Sequence, residues 1–231
     1  MRGDKQTDAL YADVRGRFGH AQAGANGYRY EGYFRREQGV VHSLMDPAAN
    51  VVLDACCGSG LMLLPLLEKN KAIFGIDFNV DACRSAARNG FPILRGDAYS
   101  MPLADGCIDE VINCQFFNQQ SSDGVAAFAD EVARVLVPGG RVILVWRNAN
   151  ALIHRTAHYL LTIADHWRGQ PEFPQETHSF GDVEAHLKRA GLAVRHREVA
   201  CAPLAWRSDR IEGIAAQVIG ASCVLVAQKA P

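Results

Sequence analysis

An acidic residue at the end of an apolar run, followed by small residues, is the feature of this sequence best suited to binding a ligand. Residues 51–60 read VVLDACCGSG, so that Asp54 is followed by Cys56, Gly58 and Gly60 at alternate positions. Small side chains in such a loop let a ligand approach the backbone, whose exposed amides can hydrogen-bond polar ligand atoms. The charge of Asp54 would repel a pyrophosphate and attract a cation. These residues therefore favour a ligand with an ammonium or sulfonium group.

The spacing of the glycines separates two kinds of nucleotide site. In the fingerprint of dinucleotide-binding proteins, a third glycine follows the second by three positions and allows close helix packing beneath a pyrophosphate. Here Leu61, Met62 and Leu63 follow Gly60, so the third glycine is absent. The sequence therefore disfavours an NAD-type oxidoreductase, which is the alternative class of enzyme.

A second predicted strand also ends in an acidic residue. Residues 72–77 (AIFGID) are apolar up to Asp77. In doubly wound α/β folds, a carboxylate at about this distance beyond the glycine loop binds the ribose hydroxyls of a nucleotide. Asp77 is therefore the predicted ribose ligand.

Residues 54–60 resemble motif I of the class I S-adenosylmethionine-dependent methyltransferases, in their UbiE-like (type 11) branch that acts on small molecules. That motif usually has an acid followed by glycines at alternate positions, and Asp54, Gly58 and Gly60 match it. Cys56 stands where the first glycine usually lies, and its thiol is small enough for the loop. The resemblance implies S-adenosylmethionine as the cofactor, with S-adenosylhomocysteine as its product.

The resemblance assigns further cofactor contacts to two later strand ends. Residues 95–98 (RGDA) correspond to the end of the third strand, where Asp97 and Ala98 would contact the adenine. Residues 107–114 (CIDEVINC) correspond to the fourth strand, which would place Cys114 beside the methionine part and Gln115 at the reaction centre. The implied cofactor-binding set is Asp54, Ala55, Cys56, Gly58, Gly60, Asp77, Phe78, Asp97, Ala98, Cys114, Tyr28 and Tyr33.

A sheet whose strand ends meet at one edge is needed to position these residues. The resemblance implies an α/β, Rossmann-like sheet of seven strands in the order 3-2-1-4-5-7-6, with strand 7 antiparallel and helices on both faces. The apolar residues 61–67 predict a helix directly after the glycine loop. Residues 131–145 (EVARVLVPGGRVILV) resemble the helix, turn and fifth strand of this family, with positive φ expected at Gly139 and Gly140.

The end of the chain predicts one more helix and two strands. Residues 180–192 (FGDVEAHLKRAGL) indicate a capped helix that ends at Gly191. Strands six and seven are expected at 193–201 and 222–229. We therefore expect one methyltransferase domain over residues 1–231, made of N-terminal lid helices (1–45), a cofactor-binding core (46–146), a helical cap insertion after strand 5 (147–180) and a C-terminal helix with two strands (181–231).

Histidines and aromatic residues of the expected lid and cap are the candidates for acceptor chemistry. His154 and His158 share a face of a stretch with helical spacing, but no third ligand of matching character and no HExxH pattern supports a metal. A hydroxyl acceptor would benefit from a histidine base, with His154 as the first candidate and His20 and His158 after it, whereas an amine or activated carbon needs none. Solvated surface histidines are the plainer alternative. The predicted substrate-binding set is Gln115, Phe117, His158, Tyr159 and Trp167, although Phe117 equally suits core packing.

Composition fits a compact, enzyme-sized domain. The chain has 231 residues, of which 48% are hydrophobic and 21% charged, which is enough to bury a large core. The formal net charge of −1 gives no overall field toward a phosphate backbone, so a nucleic-acid substrate is disfavoured. The basic cluster Arg29, Arg35 and Arg36 is diluted by Glu31 and Glu37, which predicts a solvated helix face.

The cysteines, and the lack of a long apolar run in the sequence, favour a cytoplasmic protein. The seven cysteines are odd in number and form no CxxC pair, so free thiols in a reducing cytosol are expected. The first residues lack the apolar core of a secretion signal, and no run approaches a membrane span. We therefore expect a cytoplasmic monomer or homodimer that methylates a small aromatic, quinone-like or natural-product acceptor. A non-catalytic S-adenosylmethionine-binding module is the second class of function.

Overall fold

Four α-helices and eight β-strands make up the part of the chain that the computed structural model describes, residues 31–67, 71–148, 176–200, 207–208 and 222–231. The helices are α1 (Glu31–Leu44), α2 (Val80–Arg88), α3 (Ser122–Val135) and α4 (Phe180–Arg189). The strands are β1 (Val51–Ala55), β2 (Ala72–Asp77), β3 (Ile93–Arg95), β4 (Ile108–Cys114), β5 (Leu136–Arg147), β6 (Leu192–Ala200), β7 (Arg207–Ser208) and β8 (Ser222–Lys229).

These strands form one sheet in the order β3-β2-β1-β4-β5-β8-β6-β7. Neighbours from β3 to β5 are parallel, whereas β8 lies antiparallel between β5 and β6. The predicted order is confirmed, with β8 as the expected antiparallel seventh strand. The two-residue β7 adds an edge strand beside β6. The strand order reverses between β1 and β4, and in open α/β sheets the ligand-binding crevice lies beyond the carboxyl ends of the strands at such a point.

Apolar side chains cover both faces of the sheet. On one face, Leu53 of β1 and Trp146 of β5 pack with α3 and α4. On the other face, Val52 and Ile143 of the same strands pack with α1 and α2. Successive strand residues point to opposite faces, so both alternating sets must be apolar when helices cover both sides. This double burial leaves the carboxyl edge of the sheet as the place where polar side chains can gather.

Polar residues at the helix starts fix where three of the helices begin. The side chain of Asn79 accepts a backbone N–H at the start of α2, and Ser121 does the same at α3. Ser179 and Asp182 form a reciprocal capping box at α4, which the sequence predicted as a capped helix. That helix ends at Arg189, slightly before the predicted position.

The helix predicted over residues 61–67 is wrong. Residues 61–63 form turns, and Leu64–Leu66 is a single 3-10 turn with Pro65 near its start. Proline has no N–H to continue a helical ladder, so the apolar run is divided into turns. Leu61, Met62 and Leu63 are nevertheless buried in the core on the α1 side of the sheet.

The two glycines that follow α3 have different roles. Gly139 has the expected positive φ of 78°, but Gly140 does not, so that half of the prediction is wrong. A Cβ atom at Gly140 would lie 2.9 Å from the carbonyl oxygen of Val137 and 3.0 Å from that of Asp109. Both obstacles are backbone atoms, which cannot swing aside. Gly140 is therefore required by the close approach of neighbouring strands.

Gly140→Ala is expected to lower the free energy of unfolding by about 1 to 3 kcal/mol, as measured by urea denaturation, because the added methyl group must displace backbone. Gly32→Ala is the matched control. Gly32 lies in α1 with open space around its Cα, so alanine there should be neutral or stabilise by up to about 1 kcal/mol. An unfolding free energy for Gly140→Ala equal to that of the wild type would contradict the steric explanation.

Six cysteines lie within the described residues and all are free thiols: Cys56, Cys57, Cys83, Cys107, Cys114 and Cys223. Burial raises the pKa of Cys223 to about 12, which leaves its thiol protonated and unreactive. Among the described residues, no cluster of three or more His, Cys, Asp or Glu side chains is placed to hold a metal ion. In the same ranges, no helix is both long and apolar enough to cross a membrane.

Candidate active site

Polar side chains from two groups of elements meet at the carboxyl edge of the sheet. Asp54, Asp77 and Asp97 lie at or just beyond the ends of β1, β2 and β3, and we call them the acidic half. A second group lies at the ends of β4 and β5 and at the start of β8, where strand pairing sets Arg147 opposite Ser222. This second group consists of Gln115, Arg147 and Ser222, and it is joined by Glu37 from α1. We call these four residues the mixed half. The crevice between β1 and β4 separates the two halves.

Asp54 is a buried carboxylate with an unsatisfied oxygen. The residue is only 2% exposed, and its Oδ2 has no hydrogen-bond partner in the part of the chain that the structure describes. Burial, followed by the charge of Asp77, raises the pKa of Asp54 to about 8. A buried acceptor without a donor is costly. This oxygen is therefore the best candidate in the acidic half to receive a donor group from a cationic ligand.

Asp77 joins the ends of β1 and β2. Its Oδ2 accepts a hydrogen bond from the backbone N–H of Gly58 at 2.9 Å, and its Oδ1 accepts one from Asn79, also at 2.9 Å. The N–H of Cys57 donates to the carbonyl of Ile76 at 3.2 Å. The predicted ribose ligand thus also holds the glycine loop in place. A carboxylate oxygen has more than one lone pair, so these bonds leave capacity for a hydroxyl.

The glycine loop is built on left-handed backbone at three of its positions. Cys56 has a φ of 59°, Gly58 of 58° and Gly60 of 75°. A non-glycine residue in this region costs energy and persists where its surroundings enforce it. At Gly60 a Cβ atom would lie 2.4 Å from the ring of Phe91. That glycine is therefore required by packing inside the fold, and not only by ligand approach as the sequence suggested.

Three further residues of the predicted cofactor set lie beside β2 and β3. Phe78 follows Asp77 and is 38% exposed, which is unusual for a large apolar side chain. Asp97 is exposed and accepts a hydrogen bond from the N–H of Tyr99 at 2.9 Å, while Ala98 is buried. The structure therefore brings these residues to the same side of the sheet as Asp77.

Two other predicted residues differ in burial, because Ala55 is fully buried while Cys114 is partly exposed. Ala55 is fully buried in the core, and its carbonyl already accepts a hydrogen bond from the side chain of Asn113 at 2.8 Å. Cys114 lies between the two halves of the site. Burial, and then the charges of Asp54 and Glu37, hold the pKa of Cys114 well above its usual range. Its thiol therefore stays neutral and serves as a small apolar wall.

Glu37 is the functional candidate that the sequence did not single out. The sequence predicted that Glu37 lies on a solvated face of α1. That prediction is wrong, because Glu37 is only 2% exposed. Its Oε1 accepts a hydrogen bond from Gln115 Nε2 at 2.7 Å and another from the hydroxyl of Ser222. Tyr33, one helical turn earlier, also bonds Ser222 through its hydroxyl. The spacing of Tyr33 and Glu37, four residues apart, was the only sequence signal that they share a helix face.

Gln115 connects Glu37 to the loop after β4. Its backbone has a φ of 64°, and its side-chain oxygen accepts a hydrogen bond from Asn118 Nδ2 at 2.5 Å. Asn118 in turn accepts one from the N–H of Arg147 at 2.9 Å. Burial lowers the pKa of Arg147, while the neighbouring Tyr33 and Glu37 oppose that change. The mixed half is thus one connected network that joins α1, β4, β5 and β8.

Phe117 does not line the site. It is 1% exposed and packs in the core against Phe128 and Trp146, at ring-centre distances of 5.7 and 6.1 Å. The 3-10 turn Phe117–Gln119 directs this ring inward. Phe116 is only partly buried and contacts the same cluster. The core-packing alternative therefore holds for Phe117, and the predicted substrate contact is wrong.

The remaining predicted site residues lie outside the described part of the chain. They are the cofactor candidate Tyr28, the base candidates His20 and His154, and the acceptor candidates His158, Tyr159 and Trp167. Their roles stay predictions.

Together, the strand order, the antiparallel β8 and the acidic residues beyond β1 and β2 define the Rossmann-like fold of class I methyltransferases. Residues 53–144 match the family model described as a methyltransferase domain. Over these residues, about two fifths of its length, the chain is similar to the class I S-adenosylmethionine-dependent methyltransferases.

Curated relatives match the same part of the chain. A demethylmenaquinone methyltransferase of Corynebacterium kroppenstedtii is 29% identical over 91 residues, which are 39% of this chain and 39% of that protein. An uncharacterised methyltransferase of Mycobacterium tuberculosis is 35% identical over 106 residues, 45% of this chain and 42% of that protein. The matched region thus spans less than half the length of either relative. A methyltransferase structure from Archaeoglobus fulgidus, 15% identical, superposes with a TM-score of 0.68 over 95% of this chain and 99% of that one.

Proposed function

We propose that this protein binds S-adenosylmethionine over β1 to β4 and transfers its methyl group to a small molecule held over β4, β5 and β8. The observation that carries this proposal is the buried Oδ2 of Asp54, which has no hydrogen-bond donor among the described residues. The carboxylate of Asp77 lies near enough for its charge to raise the pKa of Asp54. Two acids at neighbouring strand ends suit a cationic ligand with sugar hydroxyls better than a pyrophosphate.

The residues present fit that cofactor in three places. Asp54 would receive its ammonium group, Asp77 its ribose hydroxyls, and the exposed ring of Phe78 with Asp97 its adenine. When bound, the cofactor supplies a methyl group that is already electrophilic. The chain therefore has to orient the acceptor and exclude water, and such positioning can contribute roughly 7 to 11 kcal/mol to lowering the barrier.

The acceptor side supports a small molecule. The mixed half, with the neighbouring Tyr33, offers a carboxylate, an amide, two hydroxyls and a guanidinium within one network, and such convergent polar groups are typical of sites that orient a small ligand. Several relatives are named demethylmenaquinone methyltransferases, which favours an aromatic, quinone-like acceptor. A nucleic-acid acceptor is disfavoured by the net charge of −1.

Calorimetry and turnover test the proposal separately. S-adenosylmethionine and S-adenosylhomocysteine should each bind with one-to-one stoichiometry, while NADH should neither bind nor stabilise the protein in a thermal-shift assay. Labelled methyl groups should then appear on a member of a panel of naphthoquinols, phenols and amines. Stabilisation by NADH alone would overturn the cofactor assignment. Binding of both adenosyl compounds without transfer to any acceptor, in the panel or in a cell extract, would favour a non-catalytic binding module.

A further inference from the structure

We propose that Tyr33, Ser222 and Glu37 form a proton relay that removes the proton from a hydroxyl group of the acceptor during methyl transfer. This inference rests on the proposed function and makes it more specific, because it assigns the acceptor to the hydroxyl-bearing compounds. None of the three residues lies in the glycine loop. Tyr33 belongs to the predicted cofactor-binding set, whereas Ser222 and Glu37 do not, and the structure places the Tyr33 hydroxyl against those two residues.

The hydrogen bonds of the relay run in one direction. The hydroxyl of Ser222 donates to Oε1 of Glu37. The hydroxyl of Tyr33 hydrogen-bonds both the Ser222 oxygen and Glu37. Because Ser222 donates its single proton to Glu37, Tyr33 can donate to either of these acceptors. The donors therefore lead from the Tyr33 phenol to the Glu37 carboxylate, directly or through Ser222. A proton added to the Tyr33 oxygen can move along this chain without any side chain changing its place.

Burial gives the relay an outer and an inner end. Ser222 and Glu37 are almost completely buried, with exposures of 0% and 2%, whereas Tyr33 is only partly buried. Burial, and then the charge of Glu37, hold the pKa of Tyr33 well above its usual range. The phenol therefore stays neutral, as both a donor and an acceptor, which is the form that a relay requires.

Two neighbours hold the inner end in place. Gln115 donates to the same oxygen of Glu37 at 2.7 Å, and Arg147 lies close enough for the charge of Glu37 to affect its pKa. Gln115 also keeps its left-handed backbone at the end of β4, a conformation that occurs where the surrounding structure enforces it. Since the end of β4 borders the crevice, the relay lies next to the place proposed for the transferred methyl group.

The proposed step balances in protons and charge. The acceptor hydroxyl gives its proton to the Tyr33 oxygen as the Tyr33 proton passes to Ser222 and the Ser222 proton passes to Glu37. The acceptor oxygen forms a bond to the methyl carbon, the carbon–sulfur bond breaks, and its electron pair stays on sulfur. One positive charge on sulfur and one negative charge on Glu37 are thereby neutralised together. After the product leaves, the proton returns from Glu37 to the Tyr33 oxygen at the outer end of the relay and passes from there to solvent.

A series of phenols of graded acidity tests this step with Ser222→Ala and Glu37→Gln, two substitutions that preserve the size of the side chain closely. For weakly acidic phenols, kcat/KM should fall by about 10- to 100-fold in Glu37→Gln, which removes the proton acceptor, and by less in Ser222→Ala, which keeps the direct bond from Tyr33 to Glu37. For a nitrophenol that is already largely ionised, kcat/KM should fall markedly less in both variants. The dissociation constant of S-adenosylhomocysteine, measured by calorimetry, should stay the same.

Gln38→Ala is the control for simple loosening of α1. Gln38 anchors the same helix by donating to the carbonyls of Leu61 and Met62 at 2.8 and 3.1 Å, and it has no part in the relay. This variant should lose stability but keep the wild-type ratio of rates between weakly and strongly acidic phenols. An equal fall for every phenol in Ser222→Ala and Glu37→Gln would overturn the relay. So would methyl transfer to amines, thiols or carbon alone, an outcome that leaves the proposed function intact.

Discussion

Alanine in place of Asp77 is expected to weaken S-adenosylmethionine binding by about 1 to 3 kcal/mol, roughly 5- to 150-fold in Kd. Two losses add in this variant. The ribose hydroxyls lose a charged acceptor, and the glycine loop loses the bond from the N–H of Gly58 to Asp77 Oδ2. Because the loop would no longer be held in its binding form, we expect the upper part of this range in isothermal titration calorimetry.

Two matched variants separate those losses. Asp77→Asn keeps the shape of the side chain and one acceptor oxygen, so it should weaken binding less than alanine does. Asp81→Ala removes a carboxylate from the first turn of α2, where Asp81 pairs with Arg84 at the exposed surface, and should leave Kd unchanged. An affinity of Asp77→Ala equal to that of the wild type would show that this carboxylate does not contact the cofactor.

S-adenosylmethionine binding is expected to release about one proton per molecule bound at pH 7. Burial and the charge of Asp77 raise the pKa of Asp54 to about 8, so its carboxyl group is mostly protonated in the free protein at neutral pH. An ammonium group placed against it favours the ionised form. Binding should therefore tighten by up to about tenfold per pH unit below pH 8 and level off above it. Calorimetry in buffers of different ionisation enthalpy measures the proton count.

The stability of the free protein should change with pH in the opposite sense. Between about pH 4 and 8 the folded state keeps a proton on Asp54 that the unfolded chain has lost, so the free energy of unfolding falls as the pH rises through this window. Asp54→Asn cannot ionise. It should remove the contribution of this group to the fall in stability, abolish the proton release and weaken cofactor binding. A proton count unchanged by this substitution would assign the release to another group.

The local sequence was sufficient to predict Asp54 and Asp77 of the acidic half, whereas Asp97 came from the resemblance to a known family. Asp54 and Asp77 each end a short apolar strand, and parallel strands bring their carboxyl ends to one edge of a sheet. The order of the strands followed from the resemblance to a known family and is confirmed. The predicted helix at residues 61–67 was wrong. The prediction rested on the apolar residues of this run, but Pro65 alone is enough to prevent an α-helix from continuing.

The mixed half was decided by tertiary structure alone. Glu37 and Ser222 lie 185 positions apart in the chain, and Glu37 and Gln115 lie 78 apart. A charged residue on an amphipathic helix belongs to the solvated face on sequence grounds, yet docking of α1 on the sheet buries this one. Likewise, the sequence does not indicate which of the adjacent Phe116 and Phe117 points its ring into the core. The strand ends and their acids could be read from the sequence, because each is a short apolar run that stops at an acid within a few residues. Only the packing of α1, β5 and β8 determined the network around Glu37, because its contacts join distant segments that no local pattern relates.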